Sequence, residues 1–188
     1  MRSRLIIEDI CSEELLLATA TAEDVAFVKQ FANLGRRCEV LAWRAIVHRE
    51  LGEGVQILYD DYGAPKVANS NRYISVSHSH DKVAVLFSDA PCAVDIESVE
   101  RDFRKVASRY LSAEEQAMAE RHNLYAELWS AKEALYKYYK KGRLDLVQNI
   151  SIVEYNAEDS TLIATILDSY PIMVNIDRRD NIVIATID

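Results

Sequence analysis

The fold and the chemistry of this chain depend on two stretches, Asp95-Ile96-Glu97 and Trp129-Ser130-Ala131-Lys132-Glu133-Ala134-Leu135-Tyr136-Lys137. The first is predicted to end a strand, and the second to lie on a helix. If the fold brings the two together, three carboxylates and two lysines converge. Such a set suits one divalent cation and one substrate that carries phosphate. The sequence therefore raises a hypothesis of phosphoryl transfer.

The composition is that of a globular protein. Of the 188 residues, 49% are apolar and 28% are charged, enough for one compact domain or two small halves that share a core. There is no apolar run of membrane-spanning length and no signal-peptide core, so we expect a cytoplasmic protein without a membrane partner. Cys11, Cys38 and Cys92 lack metal-ligand spacing and are expected to be reduced and buried. The net charge of −8 argues against nucleic-acid binding.

Each half of the chain is predicted to run from helices into strands, which suggests a duplicated α+β unit. Helices are predicted over residues 12–19, from 21, over 33–51, over 103–110, from 112 and over 123–140. Strands are predicted over 4–10, 55–59, 73–77, 82–88, 92–97, 150–155, 161–167 and, as a pair, 171–188. No low-complexity linker separates the halves, so we expect them to pack as one body.

The two acidic stretches are ambiguous when each is considered alone. Asp95 and Glu97 are two apart on a strand, so both point to one side and could supply two Mg²⁺ ligands; they could equally be a solvated strand end. Glu133 and Lys137 are four apart on a helix. They could face the same site, or they could be an ordinary surface pair worth about 0.2–0.5 kcal/mol.

A third polar segment, 75–80, reads Ser-Val-Ser-His-Ser-His directly after a predicted strand. Small hydroxyl side chains and exposed backbone N–H groups can hold a phosphate, and a histidine can add positive charge. The same residues could form a polar turn between strands. The order of all three segments along the chain is more informative than any one of them.

That order resembles the 4′-phosphopantetheinyl transferase superfamily, in its two-halved (Sfp-like) type. The family motifs (I/V)SHS, G(I/V)D(I/V)E and WxxKE(A/S)xxK correspond to Val76-Ser77-His78-Ser79, Ala93-Val94-Asp95-Ile96-Glu97 and Trp129 to Lys137. The resemblance covers roughly residues 33–145. It implies an α+β fold of two pseudo-symmetric halves, 1–92 and 93–188, with the active site in the cleft between them and a monomer as the complete unit.

The resemblance also implies an activity and its participants. Members transfer 4′-phosphopantetheine from coenzyme A to a serine of an acyl or peptidyl carrier protein, releasing adenosine 3′,5′-bisphosphate. Asp95, Glu97 and Glu133 would hold Mg²⁺, and Glu133 would also accept the serine proton. Lys137 and Lys132 would offset phosphate charge. Coenzyme A would be bound by residues of the first half, namely Ser77 and His78 at its 3′-phosphate and Arg36 or Arg37 elsewhere on the nucleotide.

Three positions depart from the family pattern. Ala93 stands where glycine is usual, Ala64 replaces the lysine of a Gly-Lys-Pro turn, and His80 stands where a glycine often follows Ser-His-Ser. None of them removes a metal ligand or the expected base. Two further basic groups, at 101–109 and 140–143, could receive an acidic carrier protein or simply face solvent.

Two other functions remain open at this point. A catalytically silent relative could bind coenzyme A or a carrier protein as a regulator, and a Mg²⁺-dependent phosphohydrolase could use the same carboxylates on another nucleotide. The complete set of Asp95, Glu97, Glu133 and Lys137 favours the transferase over the first. The Ser-His-Ser segment favours it over the second.

Overall fold

The computed structural model describes residues 3–140 and 142–188, so Lys141 of the second basic group lies outside the described residues. The chain divides into two compact units, Met1–Ala90 and Pro91–Asp188. Each has helices, an antiparallel sheet and a core of its own. The α+β class predicted from the sequence is confirmed. The packing of two halves around a cleft stays a prediction.

The helices of the first unit begin where the sequence predicts. They are α1 (Glu13–Thr19), α2 (Ala22–Val28) and α3 (Leu34–Leu51). Thr21 and Asp24 form a reciprocal capping box at the start of α2. The Asn33 side chain accepts the Arg36 N–H at the start of α3. Gly52 ends that helix with a φ of 106°, a conformation that glycine adopts without steric cost.

The strands of the first unit form a three-stranded sheet and a short hairpin. The strands are β1 (Arg4–Asp9), β2 (Ile57–Tyr59), β3 (Pro65–Val67), β4 (Tyr73–Ser79) and β5 (Lys82–Ser88). The sheet has the antiparallel order β1-β5-β4, and β2 pairs with β3. Val47 of α3 packs with Val83 and Val85 of β5 in the core. Strand β3 was not expected, because three residues that begin with proline give no alternating pattern.

The second unit places its helices between the first strand and the last four. Its elements are β6 (Ala93–Ser98), a 3₁₀ helix (Phe103–Arg109), α4 (Ala113–His122), α5 (Tyr125–Tyr139), β7 (Ile150–Asn156), β8 (Thr161–Ile166), β9 (Ile172–Arg179) and β10 (Ile182–Ile187). The sheet has the antiparallel order β6-β10-β9-β8-β7. Leu128, Ala131 and Leu135 bury one side of α5 in its core. Burial of this apolar face is the main force that holds α5 in the unit.

The expected burial of the cysteines is right for two of the three. Cys38 and Cys92 are buried, whereas Cys11, just after β1, is exposed. Burial raises the pKa of the Cys92 thiol to about 11, so this thiol is inert at neutral pH. Among residues 3–140 and 142–188, no helix has both the length and the apolar character needed to cross a membrane.

Candidate active site

The two acidic stretches lie against each other in the second unit. Asp95 and Glu97 occupy alternate positions of β6 and therefore share one face of the strand. Trp129, Glu133 and Lys137 are spaced four apart on α5 and share one face of the helix. These two faces are in contact, as the hydrogen bonds between them establish.

Two pairs join the helix to the strand, in antiparallel order. At one end, Lys137 Nζ donates to Asp95 Oδ1 at 2.8 Å and to the Val94 carbonyl at 3.0 Å. At the other end, Trp129 Nε1 donates to Glu97 Oε1 at 2.9 Å. Glu133 lies midway between Trp129 and Lys137 on the helix. The spacing of the tryptophan, glutamate and lysine in the sequence is thus the spacing needed to face two alternate residues of a strand.

Glu133 is half-buried and lies among other charges. Burial raises the pKa of its carboxyl, the negative charge of Asp95 raises it further, and the ammonium of Lys137 lowers it. Two smaller effects follow: the charge of Glu97 raises this pKa, and the charge of Arg101 lowers it. A carboxylate with a raised pKa binds a proton more readily than an ordinary glutamate, and it also gains from a cation that offsets its neighbours.

Arg101 belongs to this site, although no pattern in the sequence separates it from the other basic residues that follow β6. Its Nη1 lies 3.2 Å from Glu97 Oε1, and its guanidinium lies over the rings of Phe103 and Trp129 at 4.8 and 5.0 Å. The spacing of four residues between Glu97 and Arg101 predicts their contact only if the chain is known to turn between them. Glu97 is held by Trp129 and Arg101 together.

Lys132 requires a correction. Its side chain is completely buried, and Nζ donates to Glu115 Oε2 at 2.6 Å and to the carbonyls of Leu146 and Ile150 at 2.7 and 2.8 Å. An ammonium has three hydrogens, and all three are used inside the core. Burial lowers the pKa of Lys132, while the bond to Glu115 acts in the opposite direction. Lys132 therefore does not reach a substrate phosphate, because it points away from the face that carries Glu133.

The carboxylates fit an open magnesium site better than a closed one. Among the residues described, 3–140 and 142–188, no group of three or more His, Cys, Asp or Glu side chains is arranged so that it could by itself hold a metal ion. Magnesium commonly takes only one or two protein carboxylates and completes its shell with water and substrate phosphate. Asp95, Glu97 and Glu133 supply oxygen donors of that kind. Burial is the main cause of the raised pKa of Glu133, and the negative charges of Asp95 and Glu97, which raise it further, are ones that a cation would offset.

The Ser-His-Ser segment of the first unit lies within β4 and not after it. Ser77 and His78 are successive strand residues, so their side chains point to opposite faces: Ser77 is buried and His78 is exposed. His78 Nε2 lies 2.9 Å from Arg36 Nη1 and 3.4 Å from Glu39 Oε2. This geometry does not favour contact of both side chains with one phosphate, and the assignment of Ser77 and His78 stays a prediction. The structure brings His78 and Arg36 together.

Arg37 has a different environment from Arg36. Its guanidinium donates to the Glu13 carboxylate and to the carbonyls of Phe31 and Ala32, which fixes α1 to the start of α3. Of the two arginines considered for nucleotide binding, Arg36 is the one beside His78.

His80 has a φ of 55° in the β4–β5 turn. A glycine adopts that conformation more easily, which gives a physical reason for the glycine usual at this position.

The basic residues that follow β6 are largely neutralised by neighbours. Arg101 pairs with Glu97, and two further ion pairs of 3.0 and 3.2 Å join Arg104 to Glu120 and Lys105 to Asp102. A group of paired charges attracts an acidic partner weakly. The pairing weakens the idea that this segment receives a carrier protein through charge.

Comparison with known proteins supports the superfamily indicated by the motifs. A model described as the 4′-phosphopantetheinyl transferase superfamily matches residues 91–186, just over half of the chain. The chain belongs to this superfamily. The match spans the second unit and so includes β6 and α5, the elements that carry the paired site residues.

One relative in this superfamily is the 4′-phosphopantetheinyl transferase psf-1 of Bacillus pumilus. It is 38% identical over 76 residues, a stretch that covers 37% of this chain and 33% of the relative. The chain therefore matches about a third of that relative's length.

The alanine that replaces the usual superfamily glycine, Ala93, is fully buried in the core of the second unit, where its methyl group is accommodated.

Proposed function

We propose that this protein is a 4′-phosphopantetheinyl transferase of the two-halved type, which transfers the 4′-phosphopantetheine group of coenzyme A to a serine of an acyl or peptidyl carrier protein. The observation that carries the proposal is the contact between α5 and β6, where Lys137 bonds Asp95, Trp129 bonds Glu97 and Glu133 lies between them. Superfamily membership supports the reaction class. We further propose that it works as a holo-acyl-carrier-protein synthase, as a cytoplasmic monomer.

Three carboxylates, those of Asp95, Glu97 and Glu133, would hold Mg²⁺ together with the pyrophosphate of coenzyme A. Bound Mg²⁺ would neutralise the negative charge that develops as the phosphoanhydride bond breaks. Asp95 is nearly buried and is held by Lys137, and Glu97 is held by Trp129 and Arg101. These bonds fix the directions of both carboxylates before any ligand arrives, which lowers the cost of binding.

Glu133 is the proposed general base. The carrier serine Oγ attacks the phosphorus that bears pantetheine, a new P–O bond forms, and the bond to adenosine 3′,5′-bisphosphate breaks. The serine proton goes to the Glu133 carboxylate, directly or through one water. Its raised pKa favours this role because it increases the affinity of the carboxylate for the proton. Lys137, about one third exposed, would donate to a phosphate oxygen and offset its charge.

The first unit would bind the nucleotide. His78 and Arg36 form an exposed pair at 2.9 Å, and both can donate to the 3′-phosphate of coenzyme A. Ser77 and Arg37 lie nearby in the sequence, but one is buried on the opposite face of β4 and the other is bonded to Glu13 and two carbonyls. We therefore assign the 3′-phosphate to His78 and Arg36.

The function is tested by measuring the intact mass of an apo carrier protein after incubation with this protein, coenzyme A and Mg²⁺. We expect a gain of about 340 Da, one phosphopantetheine arm, on the carrier serine. The gain should disappear when a chelator removes the metal. Coenzyme A that binds without any mass gain on several fatty-acid and peptidyl carriers would overturn the transferase and favour a silent binding relative.

A further inference from the structure

Lys132 and Glu133 are neighbours in the sequence but have separate surroundings. Glu133 faces β6 and is half-buried, whereas Lys132 is completely buried in the core of the second unit. A buried ammonium is tolerated only when its hydrogens are bonded. Here they are bonded to Glu115 and to the carbonyls of Leu146 and Ile150, at distances of 2.6 to 2.8 Å.

Glu115 is equally well bonded. Its Oε2 accepts the backbone N–H of Ser112 at 2.8 Å, which closes the capping box of α4, and also accepts Lys132. Its Oε1 accepts the backbone N–H of Ile152 at 2.8 Å, in β7. The Lys132–Glu115 pair thus ties α5 to the start of α4, to the segment before β7 and to β7 itself.

In the part of the chain that the structure describes, the other directional bonds of the α5 side chains at its core and sheet faces run to β6, through Trp129 and Lys137, and to β9, through Glu127 and Arg178. Leu128, Ala131, Ala134 and Leu135 pack through apolar contacts, which are nearly independent of direction and allow small sliding or rotation of a helix. A shift of about 1 Å in a reacting group can cost about 100-fold in rate. A device that fixes both the rotation and the axial position of α5 therefore has a direct consequence for Glu133 and Lys137.

We propose that Lys132 and Glu115 are positioning residues, a buried pair that sets the register of α5 against the sheet and thereby places Glu133 and Lys137 opposite Asp95 and Glu97. This rests on the proposed transferase function for its kinetic consequence. Its structural consequence, the position of Trp129 beside Glu97, does not depend on that function.

The test compares Lys132→Met with the double variant Lys132→Met/Glu115→Gln and with Leu162→Ala. Leu162 is buried in the same core, on β8, and its apolar side chain cannot hydrogen-bond to Lys132 or Glu115. Transfer is measured at a temperature where all variants are folded. We expect both Lys132 variants to lose about 10- to 100-fold in kcat with little change in the KM for coenzyme A, and Leu162→Ala to keep its kcat.

The double variant separates positioning from simple stability. Removing Lys132 alone leaves the Glu115 carboxylate buried without its cation, so Tm should fall sharply, and neutralising Glu115 should restore much of that Tm. We expect Tm to recover while kcat stays low. Recovery of kcat together with Tm in the double variant would overturn the positioning role. So would a loss of kcat in Leu162→Ala as large, for the same loss of Tm, as that in Lys132→Met.

A readout independent of activity uses Trp129, one of the two tryptophans of the chain. In a Trp43→Phe background, both Lys132 variants should shift Trp129 emission to longer wavelength and increase its quenching by acrylamide, and Leu162→Ala should do neither. Unchanged Trp129 fluorescence in the Lys132 variants would overturn the proposal. Absence of transfer by the unmodified protein, with the fluorescence shift intact, would instead overturn the proposed function alone.

Discussion

Charged residues that are adjacent in this sequence differ in what surrounds them, and that difference separates their roles. Arg36 is half-exposed beside His78, while the guanidinium of Arg37 bonds Glu13 and two carbonyls. Glu133 faces β6, while Lys132 is enclosed in the core. Substitution of one neighbour should therefore affect ligand binding or catalysis, and substitution of the other should affect the fold or the placement of the helix.

Arg36→Ala should weaken coenzyme A binding by about 10-fold or more, because charge-assisted bonds to a phosphate contribute roughly 1.5–3 kcal/mol. Binding of 3′-dephospho-coenzyme A should change little. The measurement is Kd by calorimetry for both ligands. Arg49→Ala is the matched control, since Arg49 is a similarly exposed arginine of α3 that pairs with Glu8 as Arg36 pairs with Glu39. Equal losses for both ligands in Arg36→Ala would refute the 3′-phosphate assignment.

The sequence predicted which site residues come together but not all that each one does. The four-residue spacing of Trp129, Glu133 and Lys137 and the alternation of Asp95 and Glu97 predict faces, and those faces do meet. Side-chain partners contributed by distant segments have no such periodic signal. The burial of Lys132 depends on Glu115 and on carbonyls before β7, so only the folded chain reveals it.

At the scale of elements, α2 is fixed to α3 by a buried ion pair. Asp24 completes the capping box of α2 and bonds the fully buried Arg44 of α3. Burial raises the pKa of the Asp24 carboxyl, but hydrogen bonds from Arg44 and Thr21 outweigh this and hold the pKa below its ordinary value. The pair stabilises the first unit only while Asp24 is ionised.

Asp24→Asn should lower the free energy of unfolding by about 3–5 kcal/mol at pH 7, because Arg44 keeps a buried charge without its partner. A carboxyl with a depressed pKa stabilises the fold above its unfolded pKa of about 3.9 and loses that contribution as pH falls through the folded pKa. Below about pH 4 the variant should therefore lose less stability than the wild-type protein does.

Urea unfolding from pH 7 to pH 2 measures both effects. Glu23→Gln is the control, because Glu23 reaches Arg44 at 3.4 Å from a largely exposed position, and such surface pairs contribute about 0–1 kcal/mol. An acid-stability profile of Asp24→Asn parallel to that of wild type would show that this carboxyl does not account for the acid sensitivity.

Element boundaries followed closely from capping residues and less well from strand patterns. Thr21, Asn33 and Ser112 each begin a helix as predicted, because an N-cap is a local hydrogen bond between residues two or three apart in the sequence. Strand β4 continues through Ser79, beyond the predicted end, because pairing with β5 outweighs the polar character of its last residues. Pairing of that kind is not a local property.

For the whole molecule, the relevant quantity is charge. The net charge is −8, and Arg101, Arg104 and Lys105 are paired with acidic neighbours. An acidic carrier protein should therefore gain little from long-range attraction. We predict that kcat/KM for such a carrier does not fall as salt is raised to physiological strength, where exposed charges are screened within about 8 Å. Stopped-flow transfer rates across a salt series measure this, and a steep fall would indicate steering by a basic surface.

The α+β class of each unit was predictable because both repeat one order: a strand, then helices, then antiparallel strands. The order of strands within each sheet was not predictable, because β6 pairs with β10, the last strand of the chain, and the residues between them give no sign of it. Long-range pairing is decided by the packing of complete elements and not by local pattern. The superfamily motifs compensate for this, since they mark β6 and α5 directly.

We propose that the face of α5 that meets β6 carries out the transfer, with Glu133 as the base. The most direct measurement is the rate of coenzyme A-dependent mass gain on an apo carrier protein for Glu133→Gln, compared with Glu154→Gln, an exposed glutamate of β7. We predict that Glu133→Gln remains folded but loses about 100-fold or more of its transfer rate, while Glu154→Gln keeps it. Wild-type turnover by folded Glu133→Gln would contradict the claim.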